Sequence, residues 1–243
     1  MYYFFLSISC IGLLLSPFQS YAQDTPFANE DDKIATFEKL FDGKWNKEYE
    51  LILWEPNFGE SRFFEPSMDH KCHTKPIKTL EYKTKTTQYH IIIFGSYVPE
   101  NNFRGAVVQL SIAQYSKPIP KPTDAKATSP KWELTAFSKY VTSYSYYGRF
   151  PELDILTVGK YNFIRLFGKW GTTAGEGRFE ILFQANFNNH FIPRFEYDTY
   201  EKTNTGTSCD ENSQSKTTMS IDHKNNQFTL TTTGTKLFFD REG

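Results

Sequence analysis

The sequence holds three cysteines, five histidines and no surplus of either charge sign in 243 residues. Each shortage closes off a class of protein. With 27 Lys and Arg against 28 Asp and Glu, there is neither a nucleic-acid footprint nor a polybasic membrane surface. No apolar run reaches the roughly 20 residues that a spanning helix needs. The best candidate, residues 8–18, is broken by Pro17 and followed at once by Gln19 and Ser20. No G-x-S-x-G element is present, and the scattered histidines do not compose a serine triad. No asparagine stands in an Asn-x-Ser/Thr acceptor, which favours a bacterial periplasm or exterior over a glycosylating pathway.

What is present begins with an address. Residues 8–18 form the apolar segment of a signal peptide, and Ser20-Tyr21-Ala22 supplies small residues at both recognition positions. Cleavage before Gln23 predicts an exported chain with no integral membrane segment in its mature form. Cys10 lies inside the apolar segment and is not a lipid acceptor. Cys72 and Cys209 remain, and an even pair in an oxidising compartment predicts a disulfide. Closing so long a loop stabilises a fold by about 4–5 kcal/mol in the chain-entropy treatment.

Residues 23–46 form a helical lead. Asn29 followed by Glu30, Asp31 and Asp32 reads as a capped helix start. Ile34, Phe37, Leu40 and Phe41 then share one face, and Gly43 is the expected stop. From Lys47 the apolar period changes to two, and the rest of the chain reads as strands. Residues 47–115 make a first β unit, residues 116–131 a Pro-rich connection, residues 132–187 a second unit and residues 188–243 a C-terminal meander.

The two units resemble one another at a displacement of about 73 residues. Leu153 falls on Leu80, and Ile164, Phe167 and Gly168 fall on Ile91, Phe94 and Gly95. After one gap, Gly177, Leu182 and Ala185 fall on Gly105, Leu110 and Ala113, while Trp132-Glu133-Leu134 matches Tyr49-Glu50-Leu51. The expected fold is therefore mainly β: duplicated antiparallel four-stranded units plus a β-meander, sandwich-like or two-lobed, with one short N-terminal helix. Two or three such units do not close a propeller.

Four groups of residues carry candidate chemistry. His70-Lys71-Cys72-His73 lacks the paired ligand spacings of structural zinc, so no metal is expected. The glycine-rich stretch 168–177 leads into a strand rather than a helix, which removes the nucleotide reading and leaves a long hairpin turn. No cofactor is called for. Glu152, Asp154, Glu176 and Glu180 lie within the second unit, and strand parity puts Glu152 and Asp154 on one face. That pair is the catalytic candidate of a hydrolase. Tyr144, Tyr146, Tyr147 and Arg149, with Trp170 and Arg178, form a candidate binding surface, because tyrosine offers large contact area at low entropy cost. Arg62 and Phe63 occupy the matching connection of the first unit, which predicts an aromatic–Arg loop from each unit at the same end.

An exported, disulfide-tied chain of duplicated β sheets with no evident catalytic set resembles, in general character, bacterial periplasmic binding and inhibitor proteins such as immunity proteins. The resemblance implies a non-enzymatic protein that binds and blocks a protein partner, for example a toxin or hydrolase acting in the periplasm. The alternatives are an envelope glycan-binding protein or glycan hydrolase using paired carboxylates, and a structural envelope component.

Overall fold

Asn29 starts the first element as the composition predicts. Its side chain accepts the Asp32 amide at 2.9 Å, and the Asp32 carboxylate accepts the Ala28 amide at 2.9 Å. This reciprocal cap satisfies one free N–H of the first helical turn and the amide just ahead of the cap. The helix, α1 (Glu30–Phe41), ends on Asp42, which takes the left-handed conformation (φ 52°) expected of Gly43. Gly43 serves a different need: a Cβ there would lie 2.6 Å from Ile52 Cγ2 and 2.7 Å from the Leu53 carbonyl.

The computed structural model describes residues 24–55, 71–97, 108–120, 130–144, 150–172, 175–186, 188–204 and 211–238. Twelve strands follow α1. β1 (Lys44–Asn46), β2 (Leu51–Trp54), β3 (Cys72–Lys83), β4 (Thr87–Tyr97), β5 (Val108–Pro118) and β6 (Glu133–Tyr144) make a first sheet in sequence order. β7 (Glu152–Val158), β8 (Tyr161–Thr172), β9 (Gly175–Ala185), β10 (Phe191–Asn204), β11 (Glu211–Asp222) and β12 (Gln227–Phe238) make a second. Within each sheet every strand pairs antiparallel with its chain neighbours. The fold is mainly β, as expected, with two six-stranded meanders and one helix among the described residues.

Three layers result. Phe37 and Phe41 of α1 pack edge-on against Phe94, with ring centroids 5.0 and 5.1 Å apart, over a core that includes Trp54, Cys72, Ile92 and Ala113. On the other face of the first sheet, Leu80, Ile91, Ile93, Leu110 and Ile112 meet Leu153, Ile164, Leu166, Ile181 and Phe183 of the second. The first sheet is thus covered on both sides. That is why β4 carries the unbroken run Ile91-Ile92-Ile93-Phe94 instead of an alternating pattern. Each fully buried aliphatic side chain contributes about 1.5–3 kcal/mol.

The second sheet curls into a half-barrel. Leu156, Val158, Phe163 and Leu182 on its outer face are covered by Met219, Ile221 and Phe228 of the β11–β12 hairpin. The tip of that hairpin meets the β7–β8 turn, where the Lys160 amide donates to Asn226 Oδ1 at 2.9 Å. The two sheets are also joined laterally. The Phe137 amide of β6 donates to the Asn189 carbonyl at 3.2 Å, and the Phe191 amide donates to Ser138 Oγ at 2.7 Å.

Three expectations change. The boundary between sheets falls between β6 and β7, so β6 completes the first sheet, and residues 119–132 connect two paired strands. The order β3-β4-β5 recurs as β7-β8-β9, but the residue register does not. Leu80 pairs with Ile91, whereas Leu153 pairs with Leu166 and Ile164 with Ile155. Gly95 pairs with Leu110, whereas Gly168 pairs with Phe179 rather than Leu182. The second slip is odd, so it reverses faces: Leu110 lies between the sheets and Leu182 on the outer face. Finally, the expected Cys72–Cys209 disulfide is not found. Cys72 is buried in the core under α1, on the side of the first sheet turned away from the second, and Cys209 lies outside the described residues.

Candidate functional site

In an up-and-down meander alternate connections leave from one end. Here the last residues of β2, β4, β6, β8 and β10 and the first residues of β3, β5, β7, β9 and β11 share an end, and contacts across the two sheets fix it. The Lys169 amide donates to the Tyr144 hydroxyl at 3.4 Å, and the Lys75 ammonium stands 5.5 Å from the centre of the Phe150 ring. The first contact ties the last residue of β6 to the far end of β8; the second ties the start of β3 to the approach to β7.

At this end lies a cleft of about 420 Å³, lined by Tyr144, Phe150, Pro151, Glu152, Phe167, Gly168, Lys169, Arg178, Phe179, Glu180 and Thr199. Tyr144 and Phe150 are the residues on either side of the connection that carries Tyr146, Tyr147 and Arg149. Those three, and Arg62 and Phe63 of the β2–β3 connection, lie outside the described residues. The glycine-rich stretch is not a long turn. β8 and β9 pair from Ile164 to Thr172, leaving only residues 173 and 174 between them. Trp170 sits in this ladder opposite Gly177. Gly168 is needed where it stands, because a Cβ on it would lie 2.1 Å from Phe179 Cζ. The Phe179 ring fills the space that a side chain at 168 would take.

Three rungs of the second sheet organise the charges. On the first, Lys169 pairs with Arg178. On the second, Glu152 pairs with Phe167, Phe167 with Glu180, and Glu180 with Tyr197. On the third, Asp154 pairs with Arg165. Arg165 donates to both Asp154 oxygens, at 2.9 Å from Nε and 2.7 Å from its terminal nitrogen. Its guanidinium also stacks over Phe167, 4.4 Å from the ring centre. The bond to Asp154 raises the Arg165 pKa further, against the opposing effect of burial, and Glu180 adds to the rise. The Tyr197 hydroxyl donates to Glu180 at 2.6 Å; burial, then that bond, pushes the phenol pKa up.

Glu152 and Asp154 share a face, and Asp154 is clamped by Arg165. The carboxylates that flank the cleft at one height are Glu152 and Glu180, two strand spacings apart, or about 9.5 Å at the backbone. Lys169 and Arg178 are unlike the other charges. Both are exposed, they stand directly opposite each other, and among the described residues neither side chain makes an ion pair or hydrogen bond. Like charges in this position repel.

Cys72 and His73 are successive strand residues. Cys72 is buried under α1, while the His73 ring stands 5.7 Å from that of Tyr97, and burial lowers its pKa. Strand geometry sends the two side chains to opposite faces. Among the described residues no three His, Cys, Asp or Glu side chains converge as a metal site.

Sequence reasoning named Tyr144, Glu152, Arg178 and Glu180, which the cleft brings together. It missed Lys169, Phe167, Phe179, Arg165 and Tyr197. The aromatic and basic content of β8 was visible, but only the register shows which residues stand side by side. Comparison with protein-family models, with curated proteins and with solved structures finds no match for this chain.

Proposed function

We propose that this chain is an exported, non-enzymatic binding protein that engages a protein partner at the aromatic cleft and blocks it, in the manner of an inhibitor or immunity protein. The observation that carries the reading is the Lys169–Arg178 rung. Two exposed cations held opposite each other with no ion pair among the described residues, on the face of the second sheet that carries Phe167 and at a cleft that Tyr144, Phe150 and Phe179 line from the other face, suit an acidic group presented by a partner whose apolar neighbours fill the cleft. Asp154 and Glu180 are engaged with Arg165 and Tyr197, which supports a positioning role for the acids.

The test is capture of partners from the parent cell envelope, followed by calorimetry. A stoichiometric protein complex is expected, its affinity falling with salt. Lys169→Glu or Arg178→Glu should weaken it tenfold or more, about 1.4 kcal/mol. Complex formation indifferent to both reversals would reject the site.

One observation favours a second reading, a glycan hydrolase. Glu152 and Glu180 stand on either side of Phe167 on one face of the second sheet, at a backbone separation of about 9.5 Å that is compatible with a carboxylate pair of an inverting glycosidase. Turnover of envelope glycans that Glu152→Gln abolishes would establish this reading in place of the first.

A further inference from the structure

We infer that β12 is an intermolecular pairing edge and that its partner is β12 of a second copy of this chain. The two sheets have four edge strands, and three are blunted. β1 is three residues long and opens on Lys44. β6 has its outer side occupied by the β9–β10 turn, through the Phe137–Asn189 and Phe191–Ser138 hydrogen bonds. β7 is seven residues long and carries Glu152 and Asp154. β12 differs on each count. It runs for 12 residues in unbroken register with β11, and no described strand pairs with its other side. Residues 229–234 are all exposed, and from Gln227 to Thr235 the strand holds neither a charge nor a proline. Such an edge presents a row of unsatisfied amides and carbonyls, which native proteins block unless something pairs with them.

The occupant follows from the composition of the strand. Antiparallel pairing of β12 with itself about Thr231 sets Thr229 against Thr233, Leu230 against Thr232 and Phe228 against Gly234. No like charges meet along this line. Threonine pairs face one another as Thr217 and Thr232 already do, with hydroxyls 2.9 Å apart, across β11 and β12. An aromatic ring falls opposite a glycine, the arrangement that Phe179 and Gly168 make inside the second sheet. The half-barrels of two copies then join as one continuous sheet through backbone hydrogen bonds.

The proposal is independent of the cleft and is tested on the whole mature chain. Sedimentation velocity across a concentration series should show a reversible monomer–dimer equilibrium. Thr229→Lys combined with Thr233→Lys places ammonium groups opposite each other across the two-fold axis. It should raise the dimer dissociation constant at least tenfold while the circular dichroism spectrum and thermal midpoint stay as in the parent. Thr231→Cys should cross-link to its own copy under mild oxidation, since directly opposed strand residues lie within disulfide reach. A chain that stays monomeric at its highest soluble concentration would overturn the proposal. So would a dimer unmoved by the lysine pair, a Thr231→Cys protein that fails to cross-link, or a strand from a different protein found on β12 of a monomer.

Discussion

Gly168 and Phe179 show how a single side chain can set local structure in this protein. They face each other in the β8–β9 ladder, and the ring occupies the volume above the glycine. Gly168→Ala forces the Phe179 ring aside, and overpacking of this kind costs about 1–3 kcal/mol. The expected outcome is a lower urea midpoint with an unchanged slope. Combining it with Phe179→Leu should recover part of the loss, because the two changes act on one volume. The neighbouring charges teach a related point. Strand parity in the sequence correctly placed Glu152 and Asp154 on one face. That Asp154 is held by Arg165 while Glu152 remains exposed depends on which residue of β8 lies across from each, and parity does not contain that information.

At the scale of elements, the strands differ in how many faces they bury. β4 and β5 lie between α1 and the second sheet, and residues 90–96 and 108–113 are buried without interruption. The β11–β12 hairpin pairs with β10 only from Lys216 back to Asn212, and beyond that its neighbours are its own two strands and the outer face of the half-barrel. Protection against amide hydrogen exchange should therefore be greatest in β4 and β5 and least in β11 and β12. Equal protection in the two pairs would show that the hairpin is as firmly held as the central strands. The strands themselves were largely legible: the unbroken apolar run of β4, the polar alternation of the tail and the capped start of α1 were all visible. The hairpin turns were not. The glycines at 168, 171, 175 and 177 suggested a long loop, yet they continue the ladder, and at Gly168 the facing Phe179 ring takes the space of a side chain.

For the whole molecule, three tyrosines report on the packing of the layers. Tyr115 lies beneath α1 and Tyr197 on the outer face of the second sheet, while Tyr82 packs against the core between the two sheets. Burial is the leading cause of a raised phenol pKa in all three. Above the ordinary tyrosine value near 10 the unfolded chain loses protons that the folded chain keeps, so the unfolded state gains and stability falls as pH rises. Their contribution is fully present below that value. Urea midpoints should hold steady through neutral and mildly alkaline pH and drop above about 10, with a part of the tyrosinate absorbance appearing only on unfolding. Ionisation of all 15 tyrosines before unfolding would contradict this burial.

The duplication illustrates where pattern ends and packing begins. Recurrence of strand order came from composition, since aliphatic and aromatic residues punctuated by glycine make strands wherever they occur. The pairing register was decided by which side chains could be buried together, and it slipped by two residues in one hairpin and three in the next. Local preference, carried by neighbours along the chain, thus determined by itself the mainly-β class, the capped helix α1, the strand-forming segments and the face shared by Glu152 and Asp154. Contacts between residues far apart in the chain decided the rest. The division into two sheets after β6, the half-barrel, the convergence of Tyr144, Glu152, Lys169 and Arg178 on one cleft, and the open edge of β12 all follow from burying one sheet between a helix and a second sheet. That burial is a sum over the whole tertiary core, and no window of the sequence contains it.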